Sequence, residues 1–176
     1  ADIAGAGERE FGILEIGPGI GTLTQKLSER YRKVVAVELD RSLLPVLEET
    51  LSDCENVKVV QGDALKIDLA ALVREEFDGG RVAVCANLPY YITSPILLRL
   101  LETDGLFESV TVMIQKEVAD RICAAPNTPE YGAITAVCAY YAETEKCFSV
   151  SPSSFVPPPK VTSQVIHMNL YREPPV

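Results

Sequence analysis

The stretch Asn87-Leu88-Pro89-Tyr90 puts an amide, a proline and an aromatic ring after an apolar run, Val82 to Ala86, and before Ile92-Thr93-Ser94-Pro95, which reads as a helix start. The chemistry this set suits is the presentation of an aromatic amine to an electrophile. The lone pair of such a nitrogen is delocalised into its ring, and no ordinary base removes its proton at neutral pH. Two acceptors for its two hydrogens would turn the lone pair outward instead. The Asn87 side-chain oxygen and the Leu88 carbonyl are the candidates. Pro89 fixes its own φ and keeps Leu88 extended, which aims that carbonyl. Tyr90 offers a stacking face, worth roughly 1–3 kcal/mol per base. Phe155, on a loop stiffened by Pro157-Pro158-Pro159, offers another. Asn-Leu-Pro-Tyr is also an ordinary turn sequence, so its meaning depends on its surroundings.

Those surroundings hold a second set of polar groups at the ends of apolar runs. Gly17-Pro18-Gly19-Ile20-Gly21 breaks a short strand and leads into a helix. Glycines there let backbone N–H groups approach a ligand closely. The spacing is Gly-x-Gly-x-Gly, not that of a dinucleotide fingerprint. Glu38 ends the next strand, 17 positions after Gly21, near the ~20 expected of an acid that binds ribose hydroxyls. Asp63 ends the third strand and can accept from an adenine amino group, while the Ala64 N–H can serve a ring nitrogen; Gly62-Asp63 also makes a plain turn. With Asn87, four successive strand ends face one crevice. Together they describe a site for a nucleoside with a ribose and an adenine, which fits either a nicotinamide dinucleotide or S-adenosylmethionine.

The elements that must position these groups follow from periodicity. Strands are expected at residues 12–16, 33–38, 57–60, 82–86 and 110–114, with helices over 22–31, 42–51, 68–77, 94–101, 116–125 and 132–141. Ser42 and Ser94 are the expected caps of two of them, with Pro45 and Pro95 in the first turns. Two late strands, at 145–151 and 164–171, have no helix between them. Alternating β and α implies an α/β, Rossmann-like, mostly parallel sheet, and the final pair adds an antiparallel terminal strand at or near one edge. Residues 1–10 read as a loop or frayed end.

With 176 residues, 47% of them hydrophobic, the chain suits a single domain over 1–176 with a real core. No run of ~18 apolar residues occurs, so no spanning helix and no membrane partner is expected. The five cysteines lack any CxxC pair. They read as buried hydrophobes in a reducing, cytoplasmic setting, with no metal site. A net charge of −9 argues against a strong nonspecific hold on nucleic acid, though local basic spots such as Lys116, Arg121 and Lys160 are available. His167, the sole histidine, reads as structural. Positioning chemistry of this kind needs no catalytic histidine.

The motifs also resemble a known family. Leu14-Glu15-Ile16-Gly17-Pro18-Gly19-Ile20-Gly21-Thr22-Leu23-Thr24 is similar to the cofactor loop of class I S-adenosylmethionine-dependent methyltransferases. Asn87-Leu88-Pro89-Tyr90-Tyr91 looks like their amino-methylating signature. Gln115-Lys116-Glu117-Val118-Ala119 and Phe155-x-Pro157-x-Pro159-Lys160-Val161 resemble further signatures of the small-subunit ribosomal RNA adenine N6,N6-dimethyltransferases (the KsgA type). The resemblance runs from about Gly12 to Tyr171 and implies a seven-stranded sheet. It implies double methylation of two adjacent adenosines in small-subunit ribosomal RNA, within ribosome biogenesis. Gly17, Glu38, Asp63 and Asn87 would touch S-adenosylmethionine, and Glu15 would support the loop and the methionine end. Leu88 is more like the small-subunit group than the antibiotic-resistance enzymes of large-subunit ribosomal RNA, which usually carry isoleucine there. Such proteins also carry an N-terminal Gln-x-Phe-Leu motif and a C-terminal helical domain that helps hold RNA. This chain is therefore expected to be a fragment without them, with a monomer acting on the immature small ribosomal subunit as the expected whole.

Three other functions compete. One is methylation of large-subunit ribosomal RNA. Another is nicotinamide-dependent oxidoreduction on the same glycine loop, which its spacing and Asn-Leu-Pro-Tyr disfavour. The third is an RNA-binding or assembly factor that keeps the fold without the reaction.

Overall fold

The computed structural model describes residues 11–103 and 105–172; the loop expected at 1–10 lies outside them. Seven strands form one sheet: β1 (Gly12–Ile16), β2 (Lys33–Glu38), β3 (Val57–Gln61), β4 (Val82–Asn87), β5 (Ser109–Gln115), β6 (Ala142–Val150) and β7 (Ser163–Leu170). The helices are α1 (Thr22–Ser28), α2 (Leu44–Thr50), α3 (Leu69–Phe77), α4 (Thr93–Leu101), α5 (Lys116–Ile122) and α6 (Ala133–Tyr141). The spatial order is β3-β2-β1-β4-β5-β7-β6. All pairings are parallel except those of β7, which runs antiparallel to both β5 and β6. This is the expected α/β sheet. The antiparallel strand is the last in sequence but next to last in space, enclosed between β5 and the edge strand β6.

The central strands are apolar without alternation because both their faces are covered. Every residue of β1 is buried, as is every residue of β4 before Asn87. On one face Ile13, Val34, Ala83 and Cys85 meet Leu27 and Tyr31. On the other, Leu14, Val35 and Val84 meet Leu72, Phe77, Leu97 and Leu100. Gly12 shows how tight that layer is. A Cβ there would overlap Phe77 Cδ1 and lie 2.5 Å from Cε1, and the ring, 1% exposed, has nowhere to go. Overpacking of this kind costs about 1–3 kcal/mol. Gly12→Ala is therefore expected to lower the urea midpoint by a corresponding amount at unchanged m-value; an unaltered midpoint would show that the ring is free to shift.

Two helix starts differ from expectation. Asp40, not Ser42, caps the turn Arg41–Leu43 before α2, its carboxylate accepting from the Ser42 N–H at 2.9 Å. The acid is one step nearer the strand, where the chain is still extended. At α4 no side chain caps the end, which falls at Ile92, so Ser94 and Pro95 lie inside the first turn. The Thr93 hydroxyl instead donates to the Pro89 carbonyl (3.2 Å), which the Ile92 N–H also meets (3.1 Å). The helix is thereby tied back onto the Asn-Leu-Pro-Tyr loop.

Candidate active site

In a sheet of this order, ligands bind outside the carboxyl ends of the strands where the winding reverses, here between β1 and β4. The Gly17 loop, Glu38, Gly62-Asp63 and Asn87 follow or close β1, β2, β3 and β4 on that one side.

Two cavities meet there. One, of about 200 Å³, is lined by Glu38, Asp40, Gly62, Asp63 and Ala64 on one wall and by Pro89, Tyr91, Ile92 and Ile96 on the other. The second, of about 500 Å³, is lined by Glu15, the loop from Gly17 to Ile20, Thr22, Leu23, Lys26 and Asn87. Gly17 belongs to both. The glycine loop is shaped for close approach: Gly17 and Gly19 have φ of +69° and +59°, and a Cβ on either would point into open space. A side chain there would be strained and would stand in the crevice.

Glu38 is 6% exposed. One carboxylate oxygen accepts from the Asp40 N–H at 2.8 Å, the other from the Gly19 N–H at 3.3 Å. The acid thus pins the glycine loop to β2, and each oxygen keeps a lone pair for a ligand hydroxyl. Asp63 is partly engaged as well. Its Oδ1 accepts from the Leu65 N–H (2.9 Å) and its Oδ2 faces Lys66 (3.3 Å). The Leu65 bond, with Lys66 behind it, holds this carboxyl below the usual range. The Ala64 N–H has no backbone acceptor among the described residues.

Glu15 is 1% exposed, and its Oε2 is buried without a hydrogen-bond partner. Burial pushes its carboxyl up to about 7; the nearby Thr24 hydroxyl opposes the rise and Glu38 adds to it. No well-formed bond closes between Glu15 Oε2 and Thr24 Oγ1, since both atoms lack a partner. A buried carboxylate oxygen facing a cavity calls for a cationic donor. The methionine end of S-adenosylmethionine carries an ammonium, so the orphaned oxygen fits the group that the sequence suggests.

Asn87 is exposed at the tip of β4. It lines the second cavity and also a third, of about 260 Å³, with Leu23, Met113 and Val165. Leu88 is 1% exposed; its N–H donates to the Met113 carbonyl at 3.2 Å. Its own carbonyl takes no backbone donor among the described residues. Tyr90 is half-buried, its hydroxyl 2.8 Å from Ser163 Oγ on β7. Phe155 is half-buried on the loop from β6 to β7, its N–H donating to the Pro152 carbonyl at 3.2 Å. That loop emerges at the same end of the sheet as Asn87, but the two rings do not touch: the only ring pair among the described residues is Tyr140–Tyr141.

Sequence reasoning found Pro89 on the far wall of the first cavity but missed Tyr91, Ile92 and Ile96 beside it. Tyr91, 85% exposed directly after the motif, was the available signal. His167 is a satisfied strand residue, between Thr111 (2.8 Å) and Asn169 (3.1 Å). Lys116 and Lys146 share Asp120, both at 2.6 Å.

Comparison with known proteins places the chain in a family. The family model described as ribosomal RNA adenine dimethylase matches residues 6–176. Ribosomal RNA small subunit methyltransferase A of Alkaliphilus metalliredigens is 51% identical over 164 residues, covering 93% of this chain and 57% of that protein. The chain thus spans little more than half the length of that relative. A dimethyladenosine transferase from Plasmodium falciparum superposes with a TM-score of 0.84 at 30% identity, over 97% of this chain and 59% of the other. The 23S rRNA methyltransferase ErmE gives 0.79 at 31%, over 99% and 68%. With the sheet, the glycine loop and Asn87 in the arrangement just described, and a match across nearly its whole length, the chain belongs to the ribosomal RNA adenine dimethylase family.

Proposed function

We propose that the protein to which this chain belongs transfers methyl groups from S-adenosylmethionine to the exocyclic amine of two adjacent adenosines in small-subunit ribosomal RNA. The observation that carries this reading is Asn87: an exposed amide at a strand tip, lining both the cavity that holds Glu15 and the one beside it. The cofactor supplies an activated methyl group. Glu38 would take the ribose hydroxyls, Asp63 and the Ala64 N–H the adenine, and Gly17 and Gly19 the close backbone approach; Gly21, expected to join them, instead lines neither cavity and packs against α2, where a Cβ would lie 3.2 Å from Leu47 and Leu51. Glu15 would meet the ammonium.

The residues of this chain then act on the target base. The Asn87 side-chain oxygen and the Leu88 carbonyl accept from its amino hydrogens and turn the nitrogen lone pair toward the methyl. Pro89 fixes the backbone between them and Tyr90. The Tyr90 ring takes one face of the base, which must leave its stack to enter; Phe155 takes the other. The proton leaves to water once the nitrogen carries the charge. Glu15 is committed to the methionine end of the cofactor and Asp63 to its adenine, so neither serves as a base.

A small-subunit target is favoured by the 51% identity to a small subunit methyltransferase. Labelled S-adenosylmethionine, offered with small or large ribosomal subunits that lack adenine dimethylation, is expected to label the small subunit at two adjacent adenosines. Label in the large subunit alone would overturn the choice of target. Calorimetric binding of NAD but not of S-adenosylhomocysteine would overturn the whole reading.

A further inference from the structure

The Tyr90 hydroxyl and Ser163 Oγ share a hydrogen bond of 2.8 Å across 73 positions of sequence. Ser163 is 1% exposed. It is the first residue of β7, paired with Gln115 at the tip of β5 and with Val150 at the tip of β6. The preceding residue is fixed as well, because the Thr162 carbonyl accepts from the Lys116 N–H at 3.0 Å. The partner of Tyr90 is therefore a rigid point of the sheet, and it is also where the loop carrying Phe155 ends.

We propose that Ser163 is a positioning residue for methyl transfer: by holding the Tyr90 hydroxyl, it fixes the ring on which the target base stacks and registers that ring against the loop bearing Phe155. This rests on the methyltransferase reading above. A tyrosine ring in the turn after a strand can rotate about two side-chain bonds. A base stacked on a turning ring reaches the reactive alignment in only a fraction of encounters, and misplacement of about 1 Å is enough to slow a reaction strongly. Hydrogen bonding the far end of the ring to a buried hydroxyl removes that freedom before the base arrives, which is pre-organisation. The cofactor cavities do not include Ser163, so the effect falls on the base and not on the cofactor.

The test is a double-mutant cycle with Ser163→Ala and Tyr90→Phe, which keeps the ring and removes the hydroxyl, assayed on small ribosomal subunits lacking adenine dimethylation. Each single change is expected to lower kcat by about two- to tenfold, the range for one hydrogen bond. The double variant should be no slower than the slower single one, with affinity for S-adenosylhomocysteine within about twofold of the unsubstituted protein. Additive losses, an unchanged kcat in Ser163→Ala, or a loss confined to S-adenosylhomocysteine affinity would each overturn the assignment. Failure of the unsubstituted protein to methylate adenine would overturn the methyltransferase reading itself and this role with it.

Discussion

Replacing Asn87 with alanine is expected to reduce methyl transfer by at least about 10²–10³-fold, the usual loss when one pre-aligned polar group is removed from a reacting centre. Alanine leaves the amine with one acceptor fewer, so its lone pair stays delocalised into the ring. Stability should scarcely change. Asn87 is exposed at the end of its strand, and surface substitutions usually fall within about 0.5 kcal/mol. Binding of RNA should also survive. Asn87→Asp sharpens the result: a carboxylate still accepts hydrogen bonds, so it should retain more activity than alanine does. Initial rates with labelled S-adenosylmethionine decide the matter, and transfer by the alanine variant within about threefold of the unsubstituted rate would contradict the role assigned to this amide.

Glu15 gives the second large effect, and here stability and function should move in opposite directions. Its carboxyl rises from the ordinary 4.5 to about 7 on folding. The folded state therefore favours the protonated form. Below pH 4.5 both folded and unfolded chains hold the proton and nothing is lost. As pH rises toward 7 the unfolded chain ionises freely while the folded one resists, and above 7 the full penalty applies. At 1.36 kcal/mol per unit this is about 3 kcal/mol. Glu15→Gln removes the charge and should stabilise the ligand-free protein at pH 8 by up to that amount, and hardly at all at pH 4.5. Under the proposed function, the same substitution also takes away the anion that would meet the ligand's ammonium. Affinity for S-adenosylhomocysteine at pH 8 should fall by about 10–100-fold, as for other hydrogen bonds to charged groups. Urea midpoints at both pH values and calorimetry at pH 8 test the pair. Equal stability of the variant and the unsubstituted protein at pH 8 would refute the buried-charge account; equal affinity would refute the ligand contact.

What can be read from the letters alone is what depends on near neighbours. The strands ending at Ile16, Glu38 and Asn87 stand out because central strands are apolar on both faces, and the polar residue that ends or follows each run is visible against it. The glycine loop is visible because only glycine readily tolerates its φ values. The caps are harder to place because Asp40 and Ser42, or Thr93 and Ser94, offer similar groups one or two residues apart, and the choice is made by contacts back to the Pro89 carbonyl and to the strand end. The wall formed by Tyr91 and Ile96, and the pairing of Tyr90 with Ser163, depend on segments far apart in sequence or on which way a ring turns. Nor does periodicity say that β7 lies inside β6.

That enclosed strand has a consequence for how the chain assembles. β6 is made before β7 yet touches the sheet only through it, so a gap the width of one strand must stay open until residues 163–170 arrive. Pairings this distant in sequence form slowly. During synthesis the parallel half, from β3 to β5, can close early, while β6 waits with both edges unpaired. The tip that receives Tyr90 comes into being at the last step. The Tyr90 hydroxyl thus gains its partner only when nearly all of this stretch has left the ribosome that makes it.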